Sequence, residues 1–165
     1  MDKKEYIYCM SYDNGYETIR DPVSLKEGLI DPIGQLVAPC QYDSIRQSVK
    51  NERLYIVQDP ETHLWGALDN WGDPILPCEF EEVDIFTYDH IRARKKGLYG
   101  IYTDYGREIV PCQYRYAGLR IRTFGEAKPI GLFYIVQDPE TNLWGLINTN
   151  KELIIPLTKE RESDV

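Results

Sequence analysis

The chain has 165 residues and a formal net charge of −8, from 19 basic and 27 acidic side chains, with 42% hydrophobic and 28% charged residues. This length predicts one domain, or two small ones, and the composition excludes a disordered or collagen-like chain. The apolar runs are too short to span a membrane, and the first residues lack the apolar stretch of a signal peptide. We therefore expect a cytoplasmic protein. The negative charge argues against general binding to nucleic acids or membranes, because phosphate surfaces would repel it.

In chain order, the first predicted element is a hairpin in which EYIYCMSY and YETIR flank a turn at Asp13-Asn14-Gly15. Four similar segments follow, namely GLIDPIGQLVAPC (28–40), GALDNWGDPILPC (66–78), GIYTDYGREIVPC (100–112) and GLINTNKELIIPL (145–157). A second landmark, YIVQDPETHLWG (55–66), returns at 134–145 with Asn142 in place of His63, and a weaker third copy covers 18–28. The spacing between successive copies, which start at residues 28, 66, 100 and 145, indicates a repeat architecture.

Each repeat is predicted to start with a β-hairpin. Asp31, Asp69 or Thr103 stands at the first corner of a four-residue turn, where its side-chain oxygen caps the turn. A glycine follows at the fourth position and permits a positive φ. The Pro residues at 39, 77, 111 and 156 belong at strand edges, ends or bulges, and no stretch shows helical periodicity.

These patterns predict an all-β repeat protein of about four antiparallel hairpin units, forming an open twisted or barrel-like stack. A single domain is expected over residues 1–157. Its parts are an N-terminal hairpin or cap at 1–27 and units near 28–65, 66–99, 100–144 and 145–157. Residues 158–165 are predicted to be a polar tail.

The aromatic-Gly pairs Trp65-Gly66, Tyr99-Gly100 and Trp144-Gly145, each followed by a turn and a strand of the kind seen in EIVPCQY (108–114), resemble the WG-repeat family of bacterial proteins. The resemblance covers about residues 18–157. It implies a binding or interaction role and brings no catalytic residues. Glu27 stands where an aromatic residue is expected and Lys151 where the turn glycine is expected, and both departures fit end-capping units.

Three cysteines share one repeat position, which raises the alternative of a metal site at Cys40, Cys78 and Cys112. Zinc needs four ligands, and the usual paired spacing is missing. The fourth copy has Leu157 at this position, so we predict small apolar core sites, and the same for Cys9. No metal or cofactor is expected.

Catalytic motifs are also missing, so we do not expect an enzyme. His63 has Asn142 as its duplicate, and His90 is expected to be structural. The Asp-Pro pairs at 21, 59 and 138 offer too few oxygens for calcium and are predicted to cap turns. The 13 tyrosines leave open whether some are exposed for ligand or glycan binding or simply favour β-strands.

Charge is unevenly distributed along the chain. Residues 90–128 carry a net +6 and the remainder a net −14. Strand alternation places Arg92 and Arg94 on one face, and likewise Arg120 and Arg122, shortly after the acidic segment EFEEVD. The two sets either pair across neighbouring strands or form a bipolar recognition surface.

The sequence therefore predicts a non-enzymatic protein–protein interaction module, in its sharper form a cytosolic inhibitor or immunity-type protein for a basic partner. The alternatives are nucleic-acid binding through the basic segment 90–128, and ligand or glycan binding by exposed aromatic residues. The candidate partner-binding residues are Glu79, Glu81, Glu82, Asp84, Arg92, Arg94, Arg120 and Arg122.

Overall fold

The computed structural model describes residues 5–123 and 129–164 and contains sixteen strands in four four-stranded antiparallel sheets. Strands β1 to β4 are Ile7–Ser11, Glu17–Arg20, Glu27–Ile30 and Leu36–Tyr42; β5 to β8 are Ser44–Gln47, Leu54–Gln58, Trp65–Asp69 and Pro74–Phe80. Strands β9 to β12 are Glu82–Ile85, His90–Lys95, Leu98–Thr103 and Glu108–Tyr114; β13 to β16 are Tyr116–Thr123, Pro129–Gln137, Trp144–Asn148 and Leu153–Lys159. Helical structure in the described ranges is confined to a 3₁₀ turn at Glu162–Asp164. The predicted all-β repeat of antiparallel hairpins is confirmed.

The chain divides into two compact units, residues 1–88 (unit 1) and 89–165 (unit 2). Unit 1 contains the sheets β1–β4 and β5–β8, and unit 2 contains β10–β12 and the sheet β13–β16. The glycines that begin the four similar segments lie on the third strand of each sheet, and we call them the landmark glycines: Gly28, Gly66, Gly100 and Gly145. Each sheet therefore begins two strands before its landmark glycine. The predicted frame, with units near 28–65, 66–99, 100–144 and 145–157, thus divides each sheet between its second and third strands. No helix in the described residues has the length and apolar character needed to cross a membrane.

In all four sheets, the landmark glycine lies opposite a bulge in the next strand, and the repeated proline at 39, 77, 111 or 156 is the first residue of that bulge. In the second sheet, Trp65 pairs with Phe80 and Ala67 with Leu76, so the one residue Gly66 lies opposite the three residues 77–79. A Cβ atom on Gly66 would lie 2.5 Å from the carbonyl oxygen of Leu76. Glycine is therefore required because the bulged strand leans over this position. The same register shift and close approach occur at the glycines 28, 100 and 145.

The turns have the predicted chemistry. The Asp31 carboxylate accepts hydrogen bonds from the backbone N–H groups of Ile33 and Gln35, at 3.0 and 2.8 Å, and Gly34 has a φ of +80°. Asp69 and Asn148 make the corresponding pair of bonds in their own turns. Each turn is therefore held rigidly by its first residue.

The Asp-Pro loops are built the same way in their two near-identical copies. Asp59 accepts hydrogen bonds from the Thr62 backbone N–H and hydroxyl, both at 2.8 Å, which lowers the pKa of this carboxyl. Asp138 and Thr141 repeat these contacts. The duplicated pair His63 and Asn142 shares a left-handed φ, at 57° and 61°. The predicted turn-capping role of these aspartates is confirmed.

Each unit has its own hydrophobic core. In unit 1, one cluster joins residues from both sheets: Leu29, Ala38, Ile45, Tyr55, Val57 and Leu68. In unit 2, Ile135 and Leu146 pack with Tyr116, Phe133, Trp144 and Ile155. These cores fix the sheets from which the turns project.

Candidate interaction surface

The acidic candidates lie around the end of β8 and on β9. Glu79 and Glu81 are exposed, whereas Glu82 and Asp84 are half-buried and share one face of β9, because they alternate with the buried Val83. Each of the four acids makes at least one noncovalent interaction within the molecule. A partner that binds these acids would therefore compete with interactions that they already make within the molecule.

The basic candidates have aromatic and acidic neighbours. Arg92 and Arg94 alternate with buried residues on β10, and their guanidinium carbons lie 5.5 and 5.8 Å from the centre of the Tyr99 ring. These distances are typical of cation–π contacts. Arg120 lies 3.9 Å from the Glu162 carboxylate. Arg122 is on β13, but its side chain, like residues 124–128, lies outside the described part of the chain.

Formal charge differs sharply between the two units. Unit 1 contains 17 acidic and 7 basic residues, a net −10, and unit 2 contains 10 acidic and 12 basic residues, a net +2. The negative charge of the chain is thus carried by unit 1. A field of this kind attracts positively charged partners over distances of about 10 Å at ordinary salt.

The third residue of the β3–β4, β7–β8 and β11–β12 turns is a large, exposed side chain. Ile33 is 77% exposed, Trp71 is 72% exposed and Tyr105 is 66% exposed. The turn after β15 has Asn150 at this position, also exposed. The sequence left open whether some tyrosines are exposed, and Tyr105 is one that is. The exposure of Ile33 and Trp71 was not predicted, although both stand at the third position of the turns that the sequence indicates.

Two of these side chains belong to a row of turns in unit 1. The Gly72 backbone packs so tightly on β4 that a Cβ atom there would overlap the carbonyl oxygen of Val37. The β1–β2 turn contacts the next turn in the same way, because a Cβ atom on Gly15 would lie 3.1 Å from the Pro32 ring. Trp71 precedes Gly72 and Leu36 precedes Val37, so these two exposed residues belong to backbone segments that are in contact, and Leu36 is 51% exposed. We call residues 13–15, 31–36 and 69–73 the turn row.

The turn row contains acidic residues and no basic ones. Its acids are Asp13, Asp31, Asp69 and Asp73. On one side the row is bounded by the β5–β6 turn, because the Asn14 amide donates a hydrogen bond to the Glu52 carbonyl at 3.0 Å. That turn carries the exposed cations Lys50 and Arg53. The acidic, partly apolar surface thus has a defined limit.

A cavity of about 180 Å³ lies in unit 2, beside hydrogen-bonded polar groups that include the exposed Asp89 and the buried His90 and Tyr134. His90 is 3% exposed, and its Nδ1 lies 2.7 Å from the Asp89 carboxylate and its Nε2 lies 2.8 Å from the Tyr134 hydroxyl. Burial, with a smaller effect of Asp89, raises the pKa of Tyr134 to about 12. This phenol therefore stays protonated at neutral pH and is a poor nucleophile.

This cavity and a second one among the described residues are small for a ligand site. The second one, of about 240 Å³, lies in unit 1 beside Arg46 and Ile56, and ligand pockets usually measure about 300–1,000 Å³. Among the described residues, no group of three or more His, Cys, Asp or Glu side chains is arranged to hold a metal ion. The stronger candidate is the turn row, which combines exposed apolar side chains with four aspartates.

The cysteines are less buried than predicted. Cys9 is exposed, which corrects its assignment to the core: both faces of the edge strand β1 are exposed. Cys40, Cys78 and Cys112 are half-buried, because they lie in the bulges that cover the landmark glycines. Burial raises the pKa of the Cys78 and Cys112 thiols.

Comparison with protein families shows that parts of the chain match a repeat family. The family described as WG containing repeat matches residues 28–59, 65–99 and 144–158. The matched segments begin at Gly28, Trp65 and Trp144, which are the landmark glycine or the aromatic residue before it. The comparison with curated proteins found no match.

Proposed function

The chain belongs to the WG-repeat family, and from this premise we propose that it is a non-enzymatic protein–protein interaction module that binds a basic protein through unit 1. The observation that carries the proposal is the charge difference between the units, −10 against +2. A surface of one sign increases the rate of association with a partner of the opposite sign and disfavours partners of the same sign.

In its sharper form, the proposal is a cytosolic inhibitor or immunity-type protein, which blocks a basic partner by covering it. The four cysteines are thiols and not disulfides, which fits the reducing conditions of the cytosol. Rigid turns and sheets suit this role, because a preorganised surface loses little entropy when it binds.

The basic segment supports nucleic-acid binding less well. Arg92 and Arg94 already contact Tyr99, and Arg120 lies near Glu162. A phosphate backbone would have to compete with these contacts and approach a chain of net charge −8.

The test is affinity capture with the immobilised full-length chain, from native lysate of the source cells at low ionic strength. Each captured protein is identified, produced separately and titrated calorimetrically against the chain. The proposal expects a basic partner that binds stoichiometrically and dissociates as salt rises, and the inhibitor form expects the partner's own activity to fall. Failure to recover a specific basic partner would overturn the proposal.

A matched pair of double variants tests the role of unit 1. Asp13→Asn with Asp73→Asn removes two exposed charges from unit 1, and Glu140→Gln with Glu160→Gln removes two from unit 2. The first pair is expected to slow association several-fold at low salt and the second to leave it nearly unchanged. Equal effects of the two pairs would contradict the assignment to unit 1.

A further inference from the structure

The turn row of unit 1 combines apolar side chains with unbalanced negative charge. We infer that it is the contact surface itself, in which Trp71, Ile33 and Leu36 hold an apolar side chain that the basic partner presents between Lys or Arg residues. This inference rests on the proposed function and adds the location of the site and the chemistry of the segment it binds.

The exposed apolar side chains are not needed by the turns that carry them. Asn150 occupies the same position in the fourth turn, and Asn148 there makes the same backbone bonds as Asp69 does before Trp71. Trp71 and Ile33 bury little of their surface, so they contribute little hydrophobic stabilisation to the fold. The stability of the fold therefore does not explain why these two side chains are apolar, whereas a role in binding does.

The tip that carries Trp71 is also held in place before any partner arrives. The Trp71 backbone N–H donates to the Asp69 carboxylate at 2.9 Å, and the next residue, Gly72, packs directly on Val37. An exposed tryptophan on a fixed backbone provides a large contact area at a low entropic cost. Tryptophan is also enriched among the residues that dominate binding energy at protein interfaces.

Charge decides which kind of partner fits. The turn row has four aspartates and no Lys or Arg within its three segments. A purely apolar partner would remove these carboxylates from water without offering a cation to pair with them, which is costly. Lys or Arg residues beside the apolar side chain would instead pair with the aspartates, and one of them could lie over the Trp71 ring.

The probe is a short lysine-rich peptide with one central leucine, compared with the same peptide carrying serine there. Binding to the full-length chain is measured at low ionic strength by tryptophan emission and acrylamide quenching, and by calorimetry. We expect the leucine peptide to shift emission to the blue and to protect tryptophan from quenching, because Trp71 is 72% exposed before binding. The serine peptide is expected to bind several-fold more weakly.

The variants are Trp71→Ser and Ile33→Ser, with Tyr105→Ser as the matched control at the same turn position in unit 2. Trp71→Ser is expected to raise Kd about 30-fold, the size of effect that defines a hot spot, and to abolish the emission shift. Ile33→Ser is expected to have a smaller effect, and Tyr105→Ser none. Unchanged urea unfolding of each variant would show that folding is intact.

The inference is overturned if neither peptide binds, or if Trp71→Ser and Tyr105→Ser have equal effects. It is also overturned if sedimentation shows that the chain alone associates through Trp71, because the occupant would then be a second copy. A captured partner that binds wild type and Trp71→Ser equally would overturn this inference and leave the proposed function standing. If the peptide result holds but no partner is captured, the site stands and the proposed function fails.

Discussion

The carboxylate of Glu27 accepts a hydrogen bond from the backbone N–H of Ile45 at 2.8 Å. Its other oxygen pairs with Arg20, also at 2.8 Å. The hydroxyl of Tyr12 binds the same edge of β5: it donates a hydrogen bond to the Ile45 carbonyl at 3.4 Å and accepts one from the Gln47 N–H at 3.3 Å. Side chains of the first sheet thus satisfy the edge of β5, which would otherwise be open to pairing with another chain.

We expect Glu27→Ala to lower the free energy of unfolding by about 1–3 kcal/mol, because a part-buried N–H and a guanidinium would lose their acceptor. Glu27→Gln keeps an acceptor oxygen and is expected to lose less. Urea unfolding measures both, with Glu61→Ala on an exposed loop as the control. Equal stability of Glu27→Ala and the control would show that the contact contributes nothing.

The bulge over Gly66 gives a second prediction. A Cβ atom there would lie 2.5 Å from the Leu76 carbonyl oxygen, so Gly66→Ala forces the two strands apart and is expected to cost about 1–3 kcal/mol. Gly97→Ala is the control, since Gly97 has a φ of 76° and, apart from its chain neighbours, the described residues place no atom within 4 Å of its Cβ position. Gly97→Ala is expected to lower the free energy of unfolding by about 1 kcal/mol, from backbone strain alone. Thermal and urea unfolding should therefore show a larger loss of stability in Gly66→Ala than in Gly97→Ala. A larger loss in Gly97→Ala would contradict the close-packed bulge.

The Asp-Pro loops contain a strained residue in their first copy. Leu25 has a φ of 59° where the later copies have His63 and Asn142. Asn tolerates this left-handed conformation better than Leu, so Leu25→Asn is expected to raise the free energy of unfolding by about 1 kcal/mol. His63→Asn should change it by less, because His already adopts positive φ more readily than most residues. Greater stabilisation from His63→Asn than from Leu25→Asn would contradict this explanation.

The sequence predicted the repeated elements well, because their signals are local. The capping by Asp31 and Asp59 follows from hydrogen bonds within a few residues of each side chain. The contact between Glu27 and Ile45 could not be predicted in this way, because it joins strands from two different sheets. The exposure of Trp71 was not predicted, because the alternation of inward and outward residues along a strand does not extend to the tip of a turn. Exposure there is set by turn geometry, which the Asp-Asn-Trp-Gly segment already encoded.

Thiol reactivity should separate the cysteines. Cys9 is exposed, whereas burial raises the pKa of the Cys78 and Cys112 thiols. Because the thiolate is the reactive form, mildly alkaline labelling with a disulfide reagent should modify Cys9 first. Mass spectrometry of labelled peptides locates the modified residue, and Cys9→Ser should remove the fast phase. A fast phase that persists in Cys9→Ser would contradict the burial of the other thiols.

The buried phenol of Tyr134 predicts how stability changes in alkali. Its pKa is about 12 in the folded chain, against an ordinary value of 10.0, chiefly because burial disfavours the phenolate. The stability that depends on this group is therefore complete below pH 10 and is lost as pH rises towards about 12, since the unfolded chain then releases its proton more readily.

Tyr134→Phe tests this dependence. The variant should be less stable at neutral pH by about 1 kcal/mol, because it removes the hydrogen bond to His90, but its stability should fall less steeply above pH 10. Tyr105→Phe, at an exposed turn, should keep the wild-type slope. Urea unfolding across this pH range measures all three proteins. Burial also raises the pKa values of Tyr12, Tyr42 and Tyr55, so part of the slope will remain in Tyr134→Phe. An unchanged slope in Tyr134→Phe would show that its phenol ionises equally easily in the folded and unfolded chains.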